Sequence, residues 1–533
     1  MPLVSVNRGG GIKRYVALLT GILECGGIAG VIFGWPSLVY ILKKEQYFAD
    51  ICPTESNGTT VGCDRQDERF SLIFTLASFA NNFMSLPNGL LFDHCGTSVT
   101  RAVGISLHTS STLMIAFSDA ATAYILFPAL CCTAIGGIIF LITNLQIGNL
   151  FGEHRSTVIT LYNGAFDSSS ITFLIVKVLY EAGLSLQSIF LFISSLSVIL
   201  VLRTIFLLPR KSIPYPVPEG YTFGAHCGPL TPDTSDQDRC QGDPPDTQTV
   251  KSPKGPQEQA DGVSDVLIPL TVGSPVGQDA TESVPTFRSC VLSSLFLTHC
   301  VWLSLMQLRH YLFIGTLNPM LIQLADNDPQ LVSRFTNAFA FIQFCGILFA
   351  PWNGLILDRR RRRSKRLDRD PAPPSAQRRD DMDASILSLA LTVGQCICFS
   401  ICASVPVLEL QYLTFILQVV NRSFLYGGHA SFIATAFPPT HFGKVYGLSM
   451  AISALVSLLQ YACFALITGL LNDDPLYMNI GFILLSSVAF CHPVNVYLHV
   501  RRLPESNLSQ HPSPVTVPGS GDGTAFTKRE TDI

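Results

Sequence analysis

The stretch RFSLIFTLASFANNFMSLPNGLLFD, residues 69–93, recurs as RFTNAFAFIQFCGILFAPWNGLILD, residues 334–358. Eight of the 25 positions are identical without a gap, at a constant shift of 265 residues, and both copies close on Asn-Gly-Leu followed by an aspartate. Each copy is long and apolar enough for a membrane-spanning helix, which needs about 20 residues. A duplicated membrane segment indicates two related bundles, the construction that lets a secondary transporter move one half against the other around a central site.

The composition of the whole chain agrees with a membrane location. It is 48% hydrophobic and 14% charged, whereas soluble domains carry about 25% charged residues. Apolar stretches with the following bounds are predicted to be transmembrane helices: 15–42, 70–92, 102–118, 121–150, 158–180, 186–208, 290–317, 335–357, 385–407, 411–437, 445–471 and 477–499. The predicted fold class is therefore an all-α polytopic membrane protein with 12 transmembrane helices in two six-helix pseudo-repeat bundles.

Polar segments divide the chain into predicted domains. Residues 1–208 would form the N-terminal bundle and residues 288–503 the C-terminal bundle. The linker 209–287 is rich in Pro, Gly, Asp, Gln, Ser and Thr, so it cannot bury enough apolar surface to offset the entropy of ordering and is predicted to be disordered. The polar tail 504–533 is also predicted to be disordered, and the loop 359–384 opens with the basic run RRRRRSKR.

Basic residues in the predicted loops set the orientation. One side of the twelve-helix layout carries Lys13, Arg14, Arg101, Arg155, Arg210, Lys211, residues 359–366, Lys444, Arg501 and Arg502. The positive-inside rule makes that side cytoplasmic, which places both termini in the cytosol. The run 359–366 lies between two membrane helices, so it fits a topology determinant that meets anionic lipid better than a nucleic-acid site.

The loop 43–69 lies on the opposite, extracellular side. It contains Asn57-Gly58-Thr59, a glycosylation acceptor that is used only outside the cytosol, so Asn57 is predicted to carry a glycan. Cys52 and Cys63 flank this site in an oxidising compartment. A disulfide between them would close the loop, and two free thiols are the open alternative.

A turn motif follows the repeated segment. The run GLLFDHCG, residues 89–96, resembles the G-x-x-x-D-x-x-G loop of the major facilitator superfamily. The resemblance implies that the glycine permits close helix approach and that the aspartate latches the cytoplasmic side by pairing with basic residues. The implied gating residues in the two halves are Gly89, Asp93, Gly354 and Asp358. His94 stands where a basic residue is usual, so the first latch would be weak or would use Arg101.

Polar side chains inside the predicted helices are candidates for a substrate site. An intramembrane polar residue must meet water, substrate or another polar group. Asn163 and Asp167 lie four residues apart, on one face of helix five. The other candidates lie on helices four, seven and ten: Asn144, Gln146, Gln307, His310, Tyr311, Asn318 and Arg422. Hydrogen bonding between neighbouring helices, worth about 0.6 kcal/mol on average, is an equally good interpretation for any one of them.

Glu24 is an acidic residue inside helix one. An ionised acidic residue there costs about 2.5–3.5 kcal/mol, so Glu24 is predicted to face the central cavity or a partner. The role of Arg309, on a different face from its neighbour His310, stays open. The sequence contains no Walker loop, metal-ligand spacing or nucleophile elbow, so it predicts no enzyme and no cofactor.

Several stretches resemble solute carrier family 43, a branch of the major facilitator superfamily, from helix one through helix twelve. They are FGWPSL at 33–38, DERFSLIFT at 67–75, LITNLQIGNLFG at 141–152, TLYNGAFD at 160–167, HYLFIGTLN at 310–318 and RSFLYG at 422–427. They resemble the nucleobase-transporting branch of that family more than its amino-acid-transporting branch. The resemblance implies the superfamily's fold and facilitated, sodium-independent movement of purine nucleobases such as adenine, guanine and hypoxanthine across the plasma membrane.

A neutral purine needs amides for its hydrogen-bonding edge and aromatic faces for stacking. Candidates for these two roles are the amides Asn144, Gln146, Asn163, Gln307 and Asn318, and the aromatic residues Phe166, Tyr311 and Phe313. An amino acid would instead need paired recognition of its carboxylate and ammonium, for which Arg309 or Arg422 with Glu24 or Asp167 is conceivable.

The expected partners are therefore a small-molecule substrate and the lipid bilayer, without nucleic acid and without an obligatory protein partner. A transporter of large neutral amino acids and a non-transporting membrane receptor or scaffold on a carrier fold are the alternatives. Glu24 and Asp167 could also relay protons, although the resemblance argues against an obligatory coupling ion.

Overall fold

The computed structural model describes residues 8–52, 63–213, 217, 221, 285–353, 356, 374–438, 441–471 and 474–502. These residues lie in helices, turns and short connections, and no β-strand occurs among them. Residues 1–224 and 286–533 belong to one compact unit, and residues 225–285 belong to another. Asn57, Gly354, Asp358, most of the linker and the tail lie outside the described residues.

The N-terminal bundle contains six spans, and most of them consist of consecutive helical segments. Span α1 is Arg8–Glu24, Cys25–Ala29, Val31–Gly34 and Trp35–Lys44; α2 is Asp64–Phe83 with the part of Ser85–Ala116 before Gly96; α3 is the part after Gly96; α4 is Ala123–Ile125, Leu126–Leu145 and Gln146–His154; α5 is Arg155–Ser168 and Ile171–Glu181; α6 is Leu186–Ser195 and Ser197–Leu207.

The C-terminal bundle repeats this arrangement after the short helix Phe287–Val291. Span α7 is Ser294–Leu324; α8 is Pro329–Phe344 and its continuation to Asn353; α9 is Pro374–Ser404; α10 is Gln411–Ala436; α11 is Phe442–Ser457 and Leu459–Thr468; α12 is Leu476–Val488 and Cys491–Arg502. The predicted all-α fold with 12 spans in two six-helix bundles is confirmed.

Within the described residues, six helices are long and apolar enough to cross a membrane by length and composition alone, and the bent pair that forms α1 makes a seventh. The other five spans, α2, α3, α5, α7 and α10, carry buried amide or charged side chains. Such side chains lower the average hydropathy of a span, and they need polar partners inside the protein. The more apolar spans also contain buried polar groups, such as Glu24 in α1, Asn144 in α4 and Arg203 in α6, so both kinds of span bring polar groups into the interior.

Some helices begin earlier than their apolar stretches. Span α8 starts at Pro329 rather than near residue 335, because Oδ1 of Asp328 accepts a hydrogen bond from the backbone N–H of Gln330 at 2.8 Å. Span α9 starts at Pro374 rather than near residue 385. Hydropathy marks only the apolar portion of a helix, so polar first turns were missed.

Two glycines shape the N-terminal bundle. Span α1 bends by 47° between Ile12–Ala29 and Val31–Lys44, and Gly30 lies at this break. A Cβ atom at Gly30 would lie 2.2 Å from the backbone oxygen of Phe166, so only glycine allows α1 to approach α5 this closely. Gly96 separates α2 from α3 with φ +71°, a left-handed conformation that favours glycine.

The two bundles meet along two sets of spans. Spans α1 and α2 of the N-terminal bundle contact α7, and α2 also contacts α11. Span α5 contacts α8 and α10. The residues on these facing surfaces decide what lies between the two halves.

Candidate substrate site between the bundles

An ion pair joins the two bundles at the predicted polar face of α5. Nε of Arg422 in α10 donates to Oδ1 of Asp167 in α5 at 2.8 Å, and both residues are buried. The hydroxyl of the next residue, Ser168, accepts a hydrogen bond from the backbone N–H of Ile347 in α8 at 3.0 Å. Two adjacent residues of α5 therefore bond to two different spans of the other bundle.

The guanidinium of Arg422 is only partly used by this pair. Its Nη1 and Nη2 atoms are buried and have no hydrogen-bond partner among the described residues. The guanidinium carbon lies 3.6 Å from the centre of the Phe33 ring and 5.3 Å from the centre of the Tyr426 ring. A buried donor without a partner costs about 1–3 kcal/mol. Arg422 therefore offers free N–H groups to an acceptor on a ligand.

Amide and hydroxyl groups lie close to the ion pair. Nδ2 of Asn82 in α2 donates to the Tyr311 hydroxyl at 2.6 Å and to Oε1 of Gln307 at 3.3 Å. The Tyr311 and Tyr426 hydroxyls are 2.9 Å apart, and the hydroxyl of Ser453 donates to Gln307 at 2.5 Å. This chain of bonds runs from α2 through α7 to α10 and α11, so it also connects the two bundles.

Aromatic rings surround the same place. Phe33 and Tyr311 are stacked with ring centres 6.1 Å apart and planes 8° apart. Phe166 meets Phe33 edge to face at 5.9 Å, and Phe74 meets Tyr311 edge to face at 6.3 Å. The face of Phe33 thus lies between a tyrosine and an arginine, an environment suited to a flat ring system.

His310 is engaged within the C-terminal bundle. Its Nε2 atom lies 2.7 Å from Oδ1 of Asn421, and its Nδ1 atom lies 3.3 Å from Nε2 of Gln418. The ring stacks on Phe399 with ring centres 5.7 Å apart. Although its neighbour Tyr311 reaches the site, both nitrogens of His310 are used by α10.

Glu24 belongs to a separate network inside the N-terminal bundle. Arg101 donates to both of its carboxylate oxygens, at 2.8 and 2.6 Å, and Nη1 of Arg203 donates to Oε2 at 2.8 Å. Asn144 donates to Oε1 at 2.8 Å and accepts from Arg203 at 2.8 Å. The remaining donor of Arg101, Nε, bonds to the hydroxyl of Thr204 at 2.8 Å. Two cations therefore neutralise Glu24, and this network ties α1 to α3, α4 and α6.

The structure does not give Arg101 the role of a cytoplasmic latch. Its side chain is fully buried against Glu24, whereas Asp93 is exposed near the end of α2, before the turn at Gly96. A buried carboxylate needs a counter-charge far more than an exposed one does, which explains why Arg101 pairs with Glu24. Gly89 lies within the helical part before that turn, where a Cβ atom would meet nothing within 4 Å.

Gln146 lies at the same end of the N-terminal bundle, against the beginning of the linker. Its Oε1 accepts from the backbone N–H of Ile213 at 2.9 Å, and its Nε2 donates to the hydroxyl of Thr97 at 2.9 Å. Thr97 also donates to the backbone oxygen of Lys211 at 3.1 Å. Gln146 therefore fixes residues 211–213 to the turn between α2 and α3.

The remaining predicted residues lie at three different places. Asn163 is half-buried, and its amide donates to the backbone oxygen of Ile159 in its own helix at 3.0 Å. Phe313 packs in the C-terminal bundle against Phe399, with ring centres 4.9 Å apart. Asn318 is buried at the edge of a cleft, and its Oδ1 has no partner among the described residues.

That cleft lies on the side of the loop 43–69 and has a volume of about 810 Å³. It runs from the ends of α1 and α2 to α7, α11 and α12, and its lining includes neither Asp167 nor Arg422. Asn82, Gln307 and Tyr311 have no exposed surface. The site around the ion pair is therefore closed in this conformation, and a ligand reaches it only when the bundles move apart.

Two further features stabilise the same side. Cys52 and Cys63 form a disulfide, with their Cα atoms 5.7 Å apart. Nζ of Lys177 in α5 donates to the hydroxyl of Ser333 and to Oδ1 of Asn337 in α8, each at 2.6 Å. The first feature closes a loop of the N-terminal bundle, and the second holds the two bundles together.

Four residues that the structure brings into the site or into the Glu24 network were not predicted. They are Phe33, Asn82 and Tyr426 at the site, and Arg203 beside Glu24. Arg203 was open to prediction, because a lone cation in an apolar span needs a partner and Glu24 was the obvious candidate. For Phe33, Asn82 and Tyr426, nothing in the pattern tells which face of the helix meets the other bundle.

Two six-helix bundles with a buried polar site between them define a secondary transporter. The family model of the Major Facilitator Superfamily matches residues 54–367. Equilibrative nucleobase transporter 1 of Bos taurus is 48% identical over 500 residues, which cover 92% of this chain and 97% of that protein. Large neutral amino acids transporter small subunit 3 of Homo sapiens is 29% identical, over 96% of this chain and 98% of that protein.

The chain therefore belongs to the major facilitator superfamily and, within it, to solute carrier family 43. The crystal structure of the nucleoside transporter NupG covers 91% of this chain and 100% of its own, with a TM-score of 0.54 and 12% identity, and it supports the fold alone. The protein is a multi-pass membrane transporter and not an enzyme.

Proposed function

We propose that this chain is a facilitative, sodium-independent transporter that moves purine nucleobases, such as adenine, guanine and hypoxanthine, across the plasma membrane. The 48% identity to a relative named as an equilibrative nucleobase transporter, over 92% of this chain, supports this assignment. The distribution of basic residues supports an orientation with both termini in the cytosol and the loop 43–69 outside, where Asn57 would carry a glycan.

The observation that carries the proposal is the position of Phe33 against Arg422 and Asp167. The ring of Phe33 provides a flat surface, Arg422 has two free nitrogens, and the Asp167 carboxylate accepts hydrogen bonds. A purine offers ring nitrogens and carbonyl oxygens as acceptors and N–H groups as donors. Base stacking on an aromatic side chain is worth about 1–3 kcal/mol. Asn82, Gln307 and Tyr311 supply further polar groups at the same place.

Transport would follow from rocking of the two bundles about this site. In the conformation described here the cleft on the loop 43–69 side stops short of the ion pair. Further opening on that side would admit the nucleobase, and opening on the other side would release it. We propose that Lys177 gates the first movement. The motif residues Gly89 and Asp93, with Gly354 and Asp358 of the repeat, would gate the second, while Arg101 stays with Glu24.

A transporter of large neutral amino acids is the second candidate. The Asp167 carboxylate and the Arg422 guanidinium have opposite charges, so on separating they could hold the ammonium and the carboxylate of a zwitterion. The relative from Homo sapiens is named for such substrates, but it is less similar, at 29% identity. We therefore place this candidate second.

The deciding experiment is uptake of labelled adenine and labelled leucine into cells that express this chain, compared with mock-transfected cells. Saturable adenine uptake that persists when sodium is replaced, and that excess guanine or hypoxanthine blocks, would support the proposal. Leucine uptake alone would select the second candidate. If uptake collapses when an imposed proton gradient is removed, transport is coupled to protons and is not facilitative.

A further inference from the structure

Arg309 in α7 is another buried cation, and its environment differs from that of Arg422. It is 1% exposed, and no carboxylate lies within ion-pair distance of it in the part of the chain that the structure describes. Its Nε donates to the hydroxyl of Ser400 at 2.9 Å, whereas its Nη2 is buried and has no partner among the described residues. Burying a charge without a counter-charge costs several kcal/mol. An anionic ligand would supply the missing charge.

Arg309 lines the cleft of about 810 Å³ on the loop 43–69 side. Small-molecule sites usually measure about 300–1,000 Å³ and combine apolar walls with a few polar groups. The walls here include Leu312, Phe464 and Ile467, and Asn318 also lines the cleft with a free Oδ1. Four charged residues also line the cleft: Lys43, Lys44, Asp64 and Asp67. Around Arg309, the cleft has the size and the chemistry of a site for a largely apolar molecule with one charged group.

Three phenylalanine rings lie around the guanidinium. Its central carbon is 4.5 Å from the ring centre of Phe399, 5.6 Å from that of Phe482 and 5.9 Å from that of Phe313. Nε is already bonded to Ser400, so the Nη atoms remain for recognition. A guanidinium binds a carboxylate through two parallel hydrogen bonds. Of the three rings, Phe313 lines the cleft, as does Phe464, and these two aromatic side chains favour a ligand with a ring of its own.

We propose that this cleft is a binding site for small aromatic monocarboxylates, held through the carboxylate by Arg309 and through the ring by the apolar walls. The site is separate from the Asp167–Arg422 pair, which does not line the cleft. The cleft is lined by both bundles, so an occupant keeps them apart on this side. The site goes beyond nucleobase transport and does not depend on it.

The test measures thermal unfolding of the purified full-length protein in detergent, without any nucleobase. Benzoate is the probe, benzamide is its neutral counterpart of similar shape, and chloride is the small-anion control. We expect benzoate to raise the unfolding temperature in a saturable way, and benzamide and chloride at equal concentration to leave it unchanged. No shift with benzoate, or an equal shift with benzamide or with chloride, overturns the proposal.

Variants locate the site. Arg309→Met removes an unpaired buried cation while keeping most of the volume, so we expect the ligand-free protein to unfold at the same or a higher temperature and the benzoate shift to disappear. The matched control is Arg334→Met, because Arg334 is exposed on α8 and does not line this cleft. A benzoate shift that persists in Arg309→Met, or that is lost in Arg334→Met, overturns the location. If Arg309→Met fails to fold, the comparison of benzoate with benzamide on the unchanged protein still decides.

Discussion

Asp167 and Arg422 form a 2.8 Å hydrogen bond that links α5 of one bundle to α10 of the other. Because both residues are buried, removing one partner leaves an uncompensated charge, which costs about 3–5 kcal/mol. We expect Asp167→Leu to lower the unfolding temperature and to reduce uptake at least tenfold. We expect the double variant Asp167→Leu with Arg422→Met to recover the folded yield but not the uptake.

Uptake per surface-labelled molecule, together with thermal unfolding, checks this prediction. Asn163→Ala is the matched control, since Asn163 bonds only to the backbone of its own helix in the described part of the chain. Restored uptake in the double variant would make the ion pair purely structural.

Phe33 should contribute to affinity through stacking. We expect Phe33→Ala to raise the KM for adenine by about 5- to 150-fold, the equivalent of about 1–3 kcal/mol of stacking, and Phe33→Tyr to keep most of the affinity. Phe48 is also buried but packs on Phe70 at 5.6 Å, so Phe48→Ala should reduce stability without a comparable change in KM. Equal KM values for the two alanine variants would remove Phe33 from the binding site.

Glu24 should affect stability rather than substrate recognition. Its carboxylate is shared by Arg101, Arg203 and Asn144, so Glu24→Ala leaves two buried cations without their counter-charge. We expect a loss of several kcal/mol of stability, less protein at the cell surface and an unchanged KM in the molecules that reach it. A raised KM at normal surface expression would return Glu24 to the substrate pathway.

Lys177 should control opening on the loop 43–69 side. Its ammonium bonds to Ser333 and Asn337 of the other bundle, and Lys177→Met removes these bonds while keeping the length of the side chain. We expect the variant to open more often on this side, which would appear as faster labelling of a cysteine introduced at Asn318, a cleft residue. Lys44→Met is the control, because Lys44 contacts the ring of Tyr40 in its own bundle at 4.6 Å. Unchanged labelling would show that this contact does not gate the cleft.

The cysteines provide a test of orientation. A membrane-impermeant maleimide should not label the paired Cys52 and Cys63 in intact cells until a reductant is added. Cys52→Ser should free Cys63 for labelling without a reductant. Cys95, exposed at the turn between α2 and α3, should be labelled only after permeabilisation. Labelling of Cys95 in intact cells would reverse the proposed topology.

The architecture was predictable because it depends on hydropathy. The repeat of residues 69–93 and the lengths of the apolar stretches identified two bundles, and the structure differs mainly at polar first turns such as that of α8. The substrate site was harder to predict from the sequence. Asp167, Arg422, Gln307, Tyr311 and Phe166 do come together. Glu24 and Asn144 lie outside the site, because Arg203 bonds to both of them and Arg101 pairs with Glu24.

There is a physical reason why the fold was easier to predict than the substrate site. A polar residue in a membrane helix needs a partner, and the sequence does not tell whether that partner is another helix or a ligand. Gln146 shows a third possibility, since its amide bonds to the beginning of the linker. Asn82 belongs to the site but was not predicted. It lies next to Asn81, and the sequence does not tell which of the two amides faces the other bundle.

The close contact between Gly30 and Phe166 predicts which inherited glycine substitutions in α1 would damage the protein. A Cβ atom added at Gly30 would collide with the backbone oxygen of Phe166, and a backbone atom cannot rotate aside as a side chain can. At Gly27, three residues earlier, an added Cβ atom would meet nothing within 4 Å. A missense allele at codon 30 is therefore expected to abolish the transporter, while alanine at codon 27 is expected to be benign, although both replace a glycine of span α1.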